Sequence, residues 1–137
     1  MALSLSVGCR DGLANTQGFG ELFSGGTLQI LTGVAPGVEA GVTGAMLLTV
    51  TSISFSSAGT GSVELDTAGG SVLSTGTAGY FRLNVADDDP EVNAAGTAIR
   101  AEGTCGVIEG SCELLLTGLA MTASDYMTIS GNFNITA

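Results

Sequence analysis

The stretch that decides the fold is Thr77–Ala86, which reads TAGYFRLNVA. In its second half apolar and polar side chains alternate, with Phe81 and Leu83 on one side and Arg82 on the other. Side chains alternate across a β-strand with a period of two, so this pattern predicts a central strand with two different faces. The same alternation runs over Tyr126–Ile135, where a slip of one residue would expose the large apolar side chains, so the register is well fixed.

Further alternating stretches lie on both sides of this strand, separated by glycine-rich turns. The chain has 22 glycines in 137 residues, a density that disfavours helix interiors. About eight to ten short strands with such turns are typical of a sandwich, so we predict an all-β, antiparallel β-sandwich of jelly-roll-like topology. Besides the two stretches above, strands are expected at Leu3–Val7, Gly26–Leu31, Met46–Val50, Ser62–Asp66, Thr97–Glu102 and Glu113–Gly118.

The length fits a single domain over residues 1–137. Residues 1–25 are expected to hold the first strand and at most one short helix, within Arg10–Phe23, ahead of the main sandwich. The start of the chain lacks a positively charged segment, which favours this strand over a lipoprotein signal. Thr32–Thr43 has no sustained period and predicts a long loop, and a change of apolar parity near Thr51–Ser52 predicts a bulge or a bend between sheets.

The charge balance excludes several classes of function. The chain has thirteen acidic residues, three arginines, no lysine and no histidine, for a net charge of −10. A nucleic-acid binder needs many basic side chains, and an anionic membrane repels an acidic chain. Without histidine or lysine, Ser-His pairs, Cys-His pairs and Schiff-base chemistry are excluded. We therefore expect no nucleic-acid partner, no membrane partner and no enzymatic activity.

The acidic turn after the central strand is the densest cluster of oxygen ligands. Asp87, Asp88, Asp89 and Glu91 could hold Ca²⁺, the metal that prefers such ligands. Their spacing lacks the frame of a helix–loop–helix calcium site, so a solvated turn is the favoured interpretation. We accordingly expect no metal and no cofactor.

Three cysteines give an odd count. Cys105 and Cys112 flank a predicted hairpin turn at Gly106–Ser111, so a disulfide across the two strands is sterically feasible. The favoured interpretation is that these two residues and Cys9 are small, partly buried thiols in a reducing compartment.

Several stretches, taken in order, resemble a family of small tailed-bacteriophage virion proteins. That family contains capsid decoration (cement) proteins with jelly-roll-like β-sandwiches. The family's patterns are matched by GTLQILTG at Gly26–Gly33 followed by Pro36, by GAMLLT at Gly44–Thr49, by GTAGYFRL at Gly76–Leu83, by GTCG at Gly103–Gly106, and by Thr128–Thr136 near the C-terminus.

The resemblance implies a structural virion protein that binds the outer surface of an icosahedral phage head and clamps neighbouring capsid subunits. Its partner would be the major capsid protein, it would self-associate as a dimer or trimer, and it would lie on the capsid surface after assembly in the host cytoplasm. The terminal strand and the long loop are the segments that the core needs least, so we expect them to make the contacts. The interface candidates are Leu3, Leu5, Val7, Val34, Pro36, Val38, Arg82 and Arg100.

Two questions stay open. Arg82 and Arg100 lie within predicted strands, where each could pair with a local acid or reach a carboxylate of a partner. The function could also be that of a phage tail or adsorption-apparatus module, or of a secreted carbohydrate-binding module, which would need an aromatic platform and often a Ca²⁺ site.

Overall fold

The computed structural model describes residues 3–14, 18–59, 62–66, 68–85, 88, 98–107, 114–116 and 118–134. These residues form twelve strands and two short helices, so the fold is mostly β. The strands are β1 Ser4–Leu5, β2 Thr27–Leu31, β3 Met46–Thr51, β4 Phe55–Gly59, β5 Ser62–Leu65, β6 Ala68–Ser71, β7 Gly76–Thr77, β8 Tyr80–Asn84, β9 Arg100–Gly106, β10 Leu114–Leu115, β11 Ala120–Met121 and β12 Tyr126–Asn134; the helices are α1 Val7–Ala14 and α2 Phe19–Phe23.

Ten strands form one sheet in the order β3-β2-β8-β9-β10-β12-β5-β4, with β1 beside β9 and β6 beside β12. Strands β7 and β11 form a separate pair. Beyond β6, the Leu73 N–H donates to the Leu47 carbonyl at 2.7 Å and the Ser74 hydroxyl donates to the Met46 carbonyl at 2.7 Å. The segment after β6 therefore hydrogen-bonds to β3, the strand at the far end of the sheet order.

The centre of the sheet is β2, β8 and β9, as the alternation in Thr77–Ala86 predicts. On one face Leu28, Leu83 and Ala101 form a row across the three strands, and Ile30 lies opposite Phe81 in the next row. All five are fully buried in the hydrophobic core. Burying a large apolar side chain contributes about 1.5–3 kcal/mol, so these rows hold the sheet together.

Helix α2 closes one side of this core with its aromatic residues. Phe19 and Phe23 lie one turn apart and are both buried, with ring centroids separated by 4.8 Å. Phe19 also meets the Phe55 ring edge-on at 5.5 Å. This spacing puts both phenylalanines on one face of the helix, so a helix of five residues is held by tertiary packing.

The N-terminal prediction was wrong in two respects. Two helices are present where at most one was expected, because Gly18 has extended backbone (φ −77°, ψ 157°) directly before α2. The first strand ends at Leu5, and Val7 begins α1. The cause is Ser6: its hydroxyl accepts the Cys9 N–H at 3.2 Å, as an N-cap residue does.

The prediction of a hairpin around the cysteines was also wrong. Strands β9 and β10 pair in parallel, with Leu114 opposite Cys105, and β10 pairs antiparallel with β12 instead. Two strands in parallel cannot be joined by a tight hairpin turn. Cys112 lies outside the described residues, as does the segment 108–113.

Other boundaries agree with the sequence. The predicted bend lies at Ser52, whose φ of 56° is left-handed, and it separates β3 from β4 at opposite ends of the sheet order. No helix or strand interrupts the predicted Thr32–Thr43 loop. Within the described ranges, no helix has the length and apolar character needed to cross a membrane.

Candidate interaction site

The two segments predicted to make contacts lie side by side. The N-terminal segment and the Thr32–Thr43 loop form the walls of one groove of about 460 Å³, which we call the N-terminal groove. It is lined by Leu3, Ser4, Leu5, Val7, Arg10, Val38 and Glu39. Four of the eight predicted interface residues thus line one groove, although Val38 is more than 30 residues from Leu3, Leu5 and Val7 in the sequence.

Apolar side chains remain accessible around this groove. Val7 is 42% exposed, and Leu3, Leu5 and Val38 are half-buried. Val34 is 86% exposed on the same loop, beyond the lining of the groove. Pro36 is half-buried between them. The loop and the N-terminal segment therefore leave part of their apolar surface exposed to solvent, where another molecule could cover it.

A carboxylate joins the two walls. Glu39 Oε1 on the loop accepts the Val7 N–H at 2.6 Å. This N–H lies in the first turn of α1, where N–H groups have no partner within the helix and a negative charge is favoured. No pattern in the sequence predicts a role for Glu39, because the contact depends on how the loop crosses the N-terminal segment.

The base of the loop is fixed by Tyr80 and Thr32. The Tyr80 hydroxyl accepts the Thr43 N–H at 3.0 Å and donates to the Thr43 carbonyl at 2.6 Å. The Thr32 hydroxyl accepts the Ala45 N–H at 2.8 Å. Gly44 has a φ of 82°, and a Cβ there would collide with the Thr32 carbonyl. This end of the loop therefore requires glycine at position 44.

The middle of the loop is fixed by an ion pair beneath it. Arg82 Nη2 donates to Glu102 Oε2 at 2.6 Å, with side-chain exposures of 0% and 4%. The same guanidinium donates to the Gly37 carbonyl at 3.1 Å and to the Ala40 carbonyl at 3.0 Å. Glu102 Oε1 in turn accepts the Gly37 N–H at 3.2 Å. The pair thus supplies both a donor and an acceptor to the loop backbone.

A second ion pair lies beside the first. Arg100 Nε donates to Asp88 Oδ2 at 2.6 Å, with side-chain exposures of 0% and 10%. Its Nη1 also donates to the Ala40 carbonyl at 3.2 Å, so both arginines hold the same loop carbonyl. A planar guanidinium with several fixed donors suits such multiple contacts better than lysine would.

The interface prediction for Arg82 and Arg100 is therefore corrected. Both are fully buried and pair with acids of their own chain, which is the local alternative that the sequence left open. Of the three arginines in the chain, Arg10 is the exposed one. It lines the N-terminal groove, so the basic charge available to a partner is concentrated there.

The other candidate ligands and nucleophiles were the acidic turn and the cysteines. Asp88 pairs with Arg100, while Asp87, Asp89 and Glu91 lie outside the described residues. Within the part of the chain that the structure describes, no three His, Cys, Asp or Glu residues are grouped so as to hold a metal ion. Burial raises the pKa of the Cys9 thiol to about 11, so it is protonated at neutral pH and a poor nucleophile.

Comparisons with protein-family models, with curated proteins and with solved structures gave no significant match.

Proposed function

We propose that this chain is a structural virion protein of the capsid decoration (cement) type. It binds the outer surface of an icosahedral phage head, with the major capsid protein as its partner, and clamps neighbouring capsid subunits without catalysing a reaction. The observation that carries the proposal is the N-terminal groove, in which two apolar segments meet on a braced sheet. The ordered resemblance at Gly26–Gly33 and Gly76–Leu83 supports the same function.

The bracing beneath the groove suits a clamp. Binding is weakened when a loop must lose conformational freedom on contact. Here the Thr32–Thr43 loop is held beforehand by Tyr80 and by the Arg82–Glu102 pair. A preorganised surface repeated over a symmetric shell needs only modest affinity per copy to reinforce the whole particle.

The remaining features of the proposal follow from the resemblance and the charge. We propose a jelly-roll-like arrangement of the strands, supported by the hydrogen bonds that join the segment after β6 to β3. Self-association as a dimer or trimer suits a site on a symmetry axis of the shell. The net charge of −10 would keep decorated particles soluble and mutually repelling.

The test is to add the purified chain to phage heads assembled without it and to image them by electron cryomicroscopy. We expect density at repeated positions on the outer surface, and heads that survive heating and osmotic shock better than bare heads. Density confined to the tail would contradict the proposal and support an adsorption-apparatus module. Bare and decorated heads of equal resistance would contradict the clamp.

A further inference from the structure

Strand β1 has a strand partner along one edge. Ser4 lies opposite Glu102 and Leu5 opposite Ala101, and the Ser6 N–H donates to the Arg100 carbonyl at 2.9 Å. In an antiparallel pair, residues that bond across the pair alternate with residues that do not. Because Ser6 bonds to β9, the N–H and carbonyl of Leu5 point away from β9.

This outer edge of β1 runs along the N-terminal groove. Leu3, Ser4 and Leu5 all line it, and none of the described residues hydrogen-bonds to the backbone of Leu5. The groove therefore combines accessible apolar side chains with a backbone edge that has no partner among the described residues. Strand addition uses this combination: backbone hydrogen bonds hold the incoming segment, and its alternate side chains fill apolar sites.

The charge of the groove restricts the incoming segment further. Arg10 lines the groove, is exposed and forms no ion pair with any described residue. The other charged lining residue, Glu39, already accepts the Val7 N–H. An arginine without a carboxylate partner favours a segment that brings one. A second copy of this chain also carries carboxylates, but its net charge of −10 would repel the first copy, which disfavours it as the occupant.

We propose that the N-terminal groove takes an extended segment of a capsid subunit, which adds to β1 as a further strand. Alternate apolar side chains of the segment contact Leu3 and Leu5, its backbone bonds to the N–H and carbonyl of Leu5, and a carboxylate pairs with Arg10. This inference rests on the proposed function and specifies how the shell is held.

The sharpest test compares Leu5→Pro with Leu5→Ala. Proline removes an N–H that no described residue accepts and places its ring where the incoming strand must lie, and edge strands tolerate proline. Alanine loses the same apolar side chain but keeps the N–H, so it is the matched control. We expect both variants to fold with similar Tm, and Leu5→Pro to bind bare phage heads at least about tenfold more weakly than Leu5→Ala.

Two further measurements address the backbone bond and the charge. Amide hydrogen exchange at Leu5 should slow when the wild-type chain is bound to bare heads, because its N–H then has a partner. Arg10→Glu should weaken binding about fivefold or more, with Arg10→Gln in between, and the difference between these variants should shrink in high salt.

The outcomes separate this inference from the proposed function. A wild-type chain that does not bind bare heads overturns both. A wild-type chain that binds, with Leu5→Pro binding as tightly as Leu5→Ala and no change in Leu5 exchange, overturns strand addition and leaves the proposed function standing. Self-association of the wild-type chain that is lost in Leu5→Pro, with head binding retained, would show that a second copy occupies the edge and would overturn the assignment to a capsid subunit.

Discussion

The two faces of the central strands β2, β8 and β9 are both buried, but they are built from different chemistry. One face carries Leu28, Phe81 and Leu83 in the apolar core. The other carries the Arg82–Glu102 pair, buried by the loop that crosses it. Burial of apolar side chains stabilises a fold but tolerates several packing arrangements. A buried ion pair adds little net stability, but it requires its charged and hydrogen-bonded partners to keep one arrangement. The apolar face therefore holds the fold together and the polar face holds the site.

The largest expected effect comes from the apolar face. Phe81→Ala should lower the free energy of unfolding by about 3–5 kcal/mol, since a fully buried aromatic side chain is lost and a cavity remains. Urea unfolding followed by circular dichroism measures this change. Val34→Ala, on the exposed end of the loop, is the control and should change stability by less than about 0.5 kcal/mol. A loss below about 1 kcal/mol for Phe81→Ala would contradict the assigned core.

The next effect comes from breaking the ion pair. Glu102→Gln should cost about 3 kcal/mol, because it leaves the Arg82 guanidinium buried without a countercharge. Amide exchange should accelerate over residues 34–43 more than in β2. The double variant Arg82→Met with Glu102→Leu separates the stability of the fold from the positioning of the loop. Stability should return to within about 1–2 kcal/mol of wild type, while amide exchange in the loop stays fast. Slow loop exchange in this double variant would show that the pair does not position the loop.

A third effect concerns a titratable group in the apolar region. The pKa of Cys9 is raised by burial from 9.0 to about 11, so between these values the unfolded chain loses its thiol proton before the folded chain does. The stability contributed by this shift is complete below pH 9 and is lost as the pH rises toward 11, by about 2–3 kcal/mol. Unfolding free energies across this pH range should fall more steeply for wild type than for Cys9→Ala. Equal slopes would contradict the burial of this thiol.

The smallest expected change in stability comes from Gln29, a polar residue on the same buried face as the ion pair. Gln29 lies opposite Arg82, but its Oε1 is buried and has no hydrogen-bond partner among the residues that the structure describes. Replacing an unsatisfied polar group with an apolar group of similar shape is nearly neutral or stabilising. Gln29→Met should therefore change the free energy of unfolding by less than about 1 kcal/mol and leave loop exchange unchanged. A loss as large as that of Glu102→Gln would show that the whole polar face, and not the ion pair, carries the loop.

The same contrast explains what the sequence could predict. Alternation in Thr77–Ala86 reveals the central strand, because both faces obey a period of two. It also puts Tyr80 and Arg82 on the face opposite Phe81, yet cannot reveal that this face is buried. The Thr32–Thr43 loop covers this face. The loop has no hydrophobic periodicity, so its course across the sheet cannot be inferred from the sequence.

Two predictions near strand ends were wrong, the start of α1 and the hairpin around the cysteines. The first has a local cause and the second depends on a strand distant in the sequence. Ser6 is a typical N-cap residue, so the start of α1 was available in the sequence, but the alternation of Leu3 and Leu5 with serine favoured a longer strand. The parallel pairing of β10 with β9 could not be read from short-range pattern, because it depends on β12 lying on the other side of β10. The two segments that form the groove could be predicted from the sequence. The residues that join and brace these segments are known only from the structure.

The position of β1 also determines when the N-terminal groove can form during synthesis of the chain. The Ser6 hydroxyl donates to the Ala98 carbonyl at 2.7 Å, across a separation of 92 residues. Contacts so distant in the chain form late, since a long stretch must first be ordered between them. While the chain is still on the ribosome, β1 cannot pair with β9 until β9 has emerged. The N-terminal groove of the proposed function therefore forms only after β9 has been synthesised and has folded beside β1.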